Sequence, residues 1–529
     1  MSGTAPSGDL SGTPGASIAA AYGFTGPALE IGTLLWDGVP RTGAPVRMPL
    51  ATLNRHGLIA GGAATGRETT RRLMVRQLSA QAVPVFLADM ASGASGPAGP
   101  DDPAGESARR AAEVGRTRAP AGAPAAFLTP GGVGPGMPVR ATVTSFGPVL
   151  LSTVLGLDRT QERALGLVLH YADGKGLELL DLGDLRAVVA FLVSDSGRTE
   201  LQSLGGISTA TAGAILRSLA VLEQQGGGNF FGAPEFDTTE LPRVRDGRGH
   251  VRVLRCAAVP ERPQLVPAFL MWLLAGLFHD LPDAGDVERP KLVFFFDEAH
   301  ALFRGASAAF LESVNRTLRL LGSKGVSVFF VTRTPQDVPP DVLAQLGNRV
   351  QHALGPEDTE ALKATVHAFP TSAYDLEEVL TGLGTGEAVV TALGGNGVPL
   401  PVAVTRLHDP AFHTGPTEPC AATAASPLHG GHAGAVGREP PCEKPTAEQR
   451  AAEENAERAV REAEHAEEAL RVDRTAPGAR EQRREPEVPE PSVAGHGAGS
   501  GVFTTLARSV GTPVGPEITR SVLGTARRR

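Results

Sequence analysis

Asp297 and Glu298 follow directly on the apolar run Leu292 to Phe296. Such a run predicts a central buried strand, and ligands in open α/β sheets bind at the carboxyl ends of the strands. In phosphoryl-transfer sites of this build the first acid holds the shell of a Mg2+ ion and the second orients the attacking water. Asp297 is therefore expected as a metal residue and Glu298 as a catalytic one. Two acids that merely cap a strand are the plainer alternative, which a phosphate-binding loop upstream weighs against.

The candidate loop is Gly61 to Thr70. The pattern G-x-x-x-x-G-K-[ST] needs glycines so that backbone N–H groups surround phosphates, a Lys to reach the β/γ-phosphates, and a hydroxyl for Mg2+. Gly61 and Gly66 fit, whereas Arg67 stands for the Lys and Glu68 for the hydroxyl. The expected nucleotide contacts are Gly61, Gly62, Ala63, Ala64, Thr65, Gly66, Arg67, Glu68 and Thr69. Arg keeps the charge, but its planar fork is not the same point donor. Glu68 sets an anion beside a polyanion, which at short range in a partly dry site costs on the order of a few kcal/mol. Direct binding of the metal would offset that cost, so Glu68 is a second metal candidate. Thr69 and Thr70 supply the hydroxyl only if the helix start slips. By motif alone the loop is either a nucleotide site or an ordinary turn.

Two arginines extend the constellation. The predicted strand Val326 to Val331 ends at Thr332 and Arg333, where polar residues of RecA-like motors sense the γ-phosphate, so Arg333 joins Glu298 as a catalytic candidate. Arg349 either reaches the nucleotide of a neighbouring subunit or lies on the surface. His56 and His300 are expected to be hydrogen-bonded structural histidines.

These residues need a scaffold. His56 to Ala60 predicts a buried strand, and Glu68 to Ala80 a helix with Leu73, Met74 and Leu78 on its apolar side; Val83 to Ala88 predicts a second strand ending at Asp89. Strand, Gly-rich turn, helix and strand make a βαβ unit, hence a parallel sheet. The sheet resumes at 291–296 and 326–331. Residues 1–22 are rich in Gly, Ser, Ala and Pro and are expected to be disordered. Residues 23–140 form the first part of the core, with 91–139 as a low-complexity loop. Residues 141–285 are a helical insertion, including Thr160 to Ala172, Asp181 to Val193, Ser208 to Gln225 and Gln264 to Leu281. Residues 286–410 are the second part of the core. Residues 411–500 predict a linker with a solvated Ala/Glu/Arg helix, and 501–529 a docking helix with a basic tail.

The bulk numbers exclude some classes. A net charge of −8 over 529 residues is not that of a protein that coats nucleic acid. Three cysteines without metal-ligand spacing imply neither a zinc site nor a disulfide framework, so a reduced, cytoplasmic protein is expected. No cationic start precedes an apolar run near Met1, which argues against a secretory leader. The apolar stretch from Leu265 is too short and too flanked by polar residues to span a bilayer.

The chain resembles bacterial HerA-like helicase-type ATPases of the HerA–FtsK branch. Ordered segments carry the resemblance: Leu53 to Gly61, Gly147 to Ser152, Leu155 to Asp158, Asp181 to Arg186, Leu222 to Gly227 with Phe230 to Gly232, Lys291 to His300, Leu343 to His352, and Glu517 to Arg520 with Leu523 and Gly524. The resemblance implies a RecA-like P-loop core with a helical insertion, ATP with Mg2+, a ring, typically hexameric, and double-stranded DNA as partner. Asp297, Glu298 and Arg349 match the family, but Arg67 and Glu68 replace its Lys and Thr, Ala91 and Gly93 its Lys and Asp, and Arg333 its Gln. After Leu354, the segment Gly355 to Asp358 lacks the family's arginines. The departures cluster around the phosphates. They imply a member with weakened or lost hydrolysis that acts as a binding or regulatory subunit, in a homo-oligomer or beside an intact relative. An active motor that uses Arg67, and a protein that holds no nucleotide, are the alternatives.

Overall fold

The computed structural model describes residues 10–90, 123–132, 136–203, 205–233, 238–256, 265–285, 287–355 and 359–408. The Ala/Glu/Arg segment, the C-terminal helix and residues 356–358 lie outside them.

The strands, in chain order, are β1 (Ala28–Trp36), β2 (Val39–Pro49), β3 (Gly57–Ala60), β4 (Val85–Asp89), β5 (Ala125–Pro130), β6 (Met137–Val139), β7 (Val244–Arg245), β8 (Arg248–Gly249), β9 (Val251–Arg255), β10 (Leu292–Phe296), β11 (Val326–Thr332), β12 (Asn348–Gln351), β13 (Glu387–Thr391) and β14 (Ala403–Leu407). Twelve of them form one sheet in the order β2-β1-β14-β13-β12-β3-β11-β10-β4-β9-β5-β6. From β12 to β6 neighbours run parallel; from β12 to β2 they run antiparallel. The chain is α/β with a mostly parallel core, as the βαβ pattern implies, and of the RecA-like kind that the family resemblance implies.

Parallel strands are buried on both faces because their crossovers lay helices over both. Alternation within each strand sorts its side chains. Leu292, Phe294 and Phe296 join the core beneath the helices Val143–Leu155, Arg159–Lys175 and Leu265–Asp280. Val293 and Phe295 join the opposite core with Met74, Val75 and Leu78 of the helix Arg67–Ala80. Phe295 stacks on Phe329 with centroids 5.4 Å apart, and Phe296 on Phe330 at 5.6 Å. Gly57 leaves room for this packing, since a β-carbon there would stand 2.1 Å from the Phe329 ring.

Buried polar bonds set the register of β3 against β11. The Ser327 hydroxyl donates to the Leu53 carbonyl at 2.5 Å. Ser327→Ala removes that bond while the Leu53 carbonyl keeps the His56 N–H at 2.9 Å, and we expect a loss of about 1 kcal/mol, read as a lower urea midpoint at unchanged slope. His56 is a structural histidine as expected: it accepts from the Val328 N–H at 3.1 Å and donates through Nε2 to the Leu318 carbonyl at 2.8 Å. These bonds suit the neutral ring, and burial pushes its pKa down to about 4.

The structure departs from the sequence expectations in three places. Pro14–Ala21 is a helix inside the stretch expected to be disordered. Its Pro at the first turn is preset for helix, and Ile18 and the following Tyr22 are buried, the Tyr22 hydroxyl donating to the Pro401 carbonyl at 2.9 Å. The low-complexity stretch 91–139 contains β5 and β6. The helical insertion contains β9, which sits between β4 and β5. Its Arg252 is buried because its guanidinium donates to the carbonyls of Leu241 at 2.7 Å and Glu240 at 2.6 Å. The helix Leu265–Asp280 packs in the core, and no helix among the described residues is long and apolar enough to cross a membrane.

Candidate nucleotide site

The Gly-rich loop joins β3 to the helix Arg67–Ala80 at the carboxyl end of the parallel strands. Its first residues are tied to neighbouring strand ends: the Gly61 N–H donates to the Arg333 carbonyl and the Gly62 N–H to the Ala353 carbonyl, both at 2.9 Å. Gly61 has φ +151°, and a β-carbon there would stand 2.4 Å from the His352 β-carbon. Gly66 turns the chain into the helix at φ +119°, lying directly over the His352 ring. Ala63 and Ala64 are exposed at the tip, and the Thr65 hydroxyl folds back onto the Gly62 carbonyl at 2.8 Å. The first N–H groups of the helix lack intrahelical acceptors and carry the positive end of its dipole, which suits an anion.

The two acids stand at the end of β10, next to this helix start. The Asp297 N–H donates to the Ala88 carbonyl at 3.1 Å, which holds the acid against the end of β4. Glu298 has φ +48°, a left-handed backbone uncommon outside glycine and concentrated at functional sites. The Glu298 carboxylate faces three basic side chains. Arg67 lies 3.5 Å from its carboxylate, His300 Nδ1 3.1 Å and Arg333 3.8 Å. His300 is thus part of the site rather than a remote structural histidine.

Glu68 is turned outward on the first helical turn and exposed, pairing with Arg72 and, at 3.6 Å, with Arg71. Arg71 is 2% exposed, and its other terminal nitrogen lies 3.6 Å from the Asp297 carboxylate. Thr69 is half-buried on that first turn. Thr70 offers no hydroxyl to the loop, because its Oγ1 bonds His352 Nε2 at 2.9 Å in full burial.

Arg349 is not brought to the loop. It lies near the start of β12, toward the opposite end of the sheet, with its guanidinium on the carbonyls of Leu346, Ala368 and Leu343. It lines a cleft of about 1140 Å3 there, together with Asn54, Arg55 and Arg319. Sequence reading did not single out Arg71, Arg72 or His352. The spacing of Arg71 and Arg72, three and four residues after Glu68 on one helix, is a signal for ion pairing. Nothing near His352 in the sequence marks it.

Mg2+ wants near-octahedral oxygen ligands at about 2.0–2.1 Å. The residues here do not fit that demand: a glutamate replaces the hydroxyl, and both Asp297 and Glu68 face guanidinium groups. Among the described residues no group of His, Cys, Asp or Glu is arranged to hold a metal.

The family model described as "Helicase HerA-like C-terminal" matches residues 37–529. The chain belongs to the HerA-like family. Members of this family are P-loop ATPases. Among solved structures, the chain is similar to the plasmid coupling protein TrwB in complex with ADP and Mg2+, at 15% identity over 77% of this chain and 94% of that one, with a TM-score of 0.51. TrwB with the GTP analogue GDPNP matches at 15% identity, 75% and 95% coverage and a TM-score of 0.50. VirB4 of Thermoanaerobacter pseudethanolicus matches at 13% identity, 73% and 97% coverage and 0.47. At such identities the likeness to the two TrwB structures speaks for the fold alone. Comparison with curated proteins gives no match.

Proposed function

We propose that this HerA-like chain binds ATP but hydrolyses it weakly or not at all, and that it serves as a binding or regulatory subunit in a ring-shaped, cytoplasmic assembly on double-stranded DNA. One observation carries the loss of hydrolysis. Glu298, the acid expected from its motif to orient water, faces Arg67, His300 and Arg333. A carboxylate whose oxygens face three side chains at these distances is engaged by them rather than by an attacking water, which it must hold within hydrogen-bond reach to activate. The retained loop, the helix start and the likeness in fold to a protein solved with ADP and Mg2+ support nucleotide binding.

Purified protein is expected to gain thermal stability with ATP, because a ligand that binds only the folded state must stabilise it. It is expected to release no phosphate above background, with or without duplex DNA. The Arg67→Lys, Glu68→Thr double variant should gain phosphate release that Glu298→Gln then abolishes. Steady turnover by the unaltered chain, sensitive to Glu298→Gln, would instead establish an active motor that uses Arg67. No thermal shift with any nucleotide would establish a structural protein.

A further inference from the structure

We infer that Arg71 is a built-in cation that takes the place of the divalent metal, so that this site binds a nucleoside polyphosphate without Mg2+. The inference rests on the nucleotide-binding reading above and concerns what neutralises the phosphates and Asp297.

The geometry carries it. Arg71 comes from the second turn of the helix that follows the loop, and its side chain is 3% exposed. One terminal nitrogen faces Asp297 and the other Glu68, each at 3.6 Å. Asp297 is the acid that a metal would need, and Glu68 occupies the position of the metal-binding hydroxyl in the loop pattern. The guanidinium therefore stands between the two positions that a divalent ion would join. Bringing Mg2+ to Asp297 would put a double positive charge within a few ångströms of a buried guanidinium, or drive that guanidinium from its pocket. Both are costly in a partly dry site. Three further arginines border the same space: Arg67 on Glu298, Arg72 on Glu68 and Arg333 at the end of β11. Guanidinium groups match phosphate oxygens with a planar fork of donors, and they remain charged at any working pH. The substitution of Lys by Arg67 and of the hydroxyl by Glu68 then makes sense together. Glu68 orients Arg71 and Arg72, and the arginines supply the positive charge that a metal would bring.

The test uses the whole unaltered chain and two titrations. In calorimetry, ATP in excess EDTA is expected to bind as tightly as ATP with Mg2+, or more tightly, since metal-free ATP carries more negative charge. In electron paramagnetic resonance, Mn2+ added without nucleotide is expected to stay free in solution up to millimolar concentration. The Arg71→Gln, Glu68→Thr variant should reverse the first result, with ATP binding at least tenfold weaker in EDTA than with Mg2+. Tenfold weaker binding in EDTA by the unaltered chain overturns the inference, as does Mn2+ bound by that chain and released on Asp297→Asn. If the variant does not fold, those two results on the unaltered chain still decide. Absence of ATP binding under both conditions, with Mn2+ also excluded, refutes the nucleotide reading and leaves Arg71 as the residue that closes the metal position.

Discussion

Asp297→Ala is expected to destabilise the folded protein by about 3 kcal/mol, the lower part of the range for breaking a buried ion pair. The reason is Arg71, whose buried guanidinium would lose the partner that lies 3.6 Å away. Glu68, also at 3.6 Å but half-exposed, keeps the loss from being larger. An acid that served only a metal would behave in the opposite way, because removing it relieves the crowding of charge beside Glu298. Replacing the whole pair, as in Arg71→Met with Asp297→Ala, should recover most of the stability, since apolar residues of similar volume often substitute for a buried pair at little cost. Urea unfolding of the two single variants and the double variant gives the coupling energy directly. A change of less than about 0.5 kcal/mol for Asp297→Ala, within the range of ordinary surface substitutions, would show that Arg71 does not depend on Asp297.

Acid should weaken the fold well before the carboxylates titrate. Burial lowers the pKa of both His56 and His352 from 6.5 to about 4. In the unfolded chain the same rings take up protons as the pH falls through 6.5, while in the folded chain they stay neutral down to about 4. The unfolded state thus binds more protons in this window, and stability is complete above pH 6.5 and lost as the pH falls toward 4. Between pH 7 and pH 5 each ring contributes a loss of about 2 kcal/mol, or about 4 together. The urea midpoint should fall steeply across that interval and flatten in part when His352 is replaced by Gln. A midpoint that is level from pH 7 to pH 5 would mean that these rings are protonated in the folded protein. His352 also connects this effect to the nucleotide site, because it lies under Gly61 and Gly66 and holds Thr70. Loosening at the loop should accompany the loss of stability.

Much of the frame around the site is visible in local patterns. The apolar run before Asp297 is long enough to require burial on both faces, and the structure places it at the centre of the parallel strands. The Gly-rich turn between a strand and an amphipathic helix likewise appears where strand, turn and helix were expected. Patterns failed where composition masks tertiary support. Pro14–Ala21 has too little apolar content to fold alone, yet Ile18 and Tyr22 dock onto an existing core. Strand β9 carries Arg252 at a buried position, and only the carbonyls of Glu240 and Leu241 make that placement affordable.

By itself the sequence determined the α/β frame, the βαβ unit that contains the loop, and the substitution of Arg67 and Glu68 into a phosphate-binding pattern. These follow from periodicity and from residue type, which act over a few neighbouring positions. What those side chains face is set by the folded chain. Arg71 meets Asp297, Arg67 and Arg333 meet Glu298, and Thr70 meets His352, all across different strands and helices. Arg349, matched to the family in sequence, is placed toward the other end of the sheet instead. Ion pairs of this kind depend on distance in space and on exclusion of water, and both are set by the order in which the strands lie in the sheet rather than by their order along the chain.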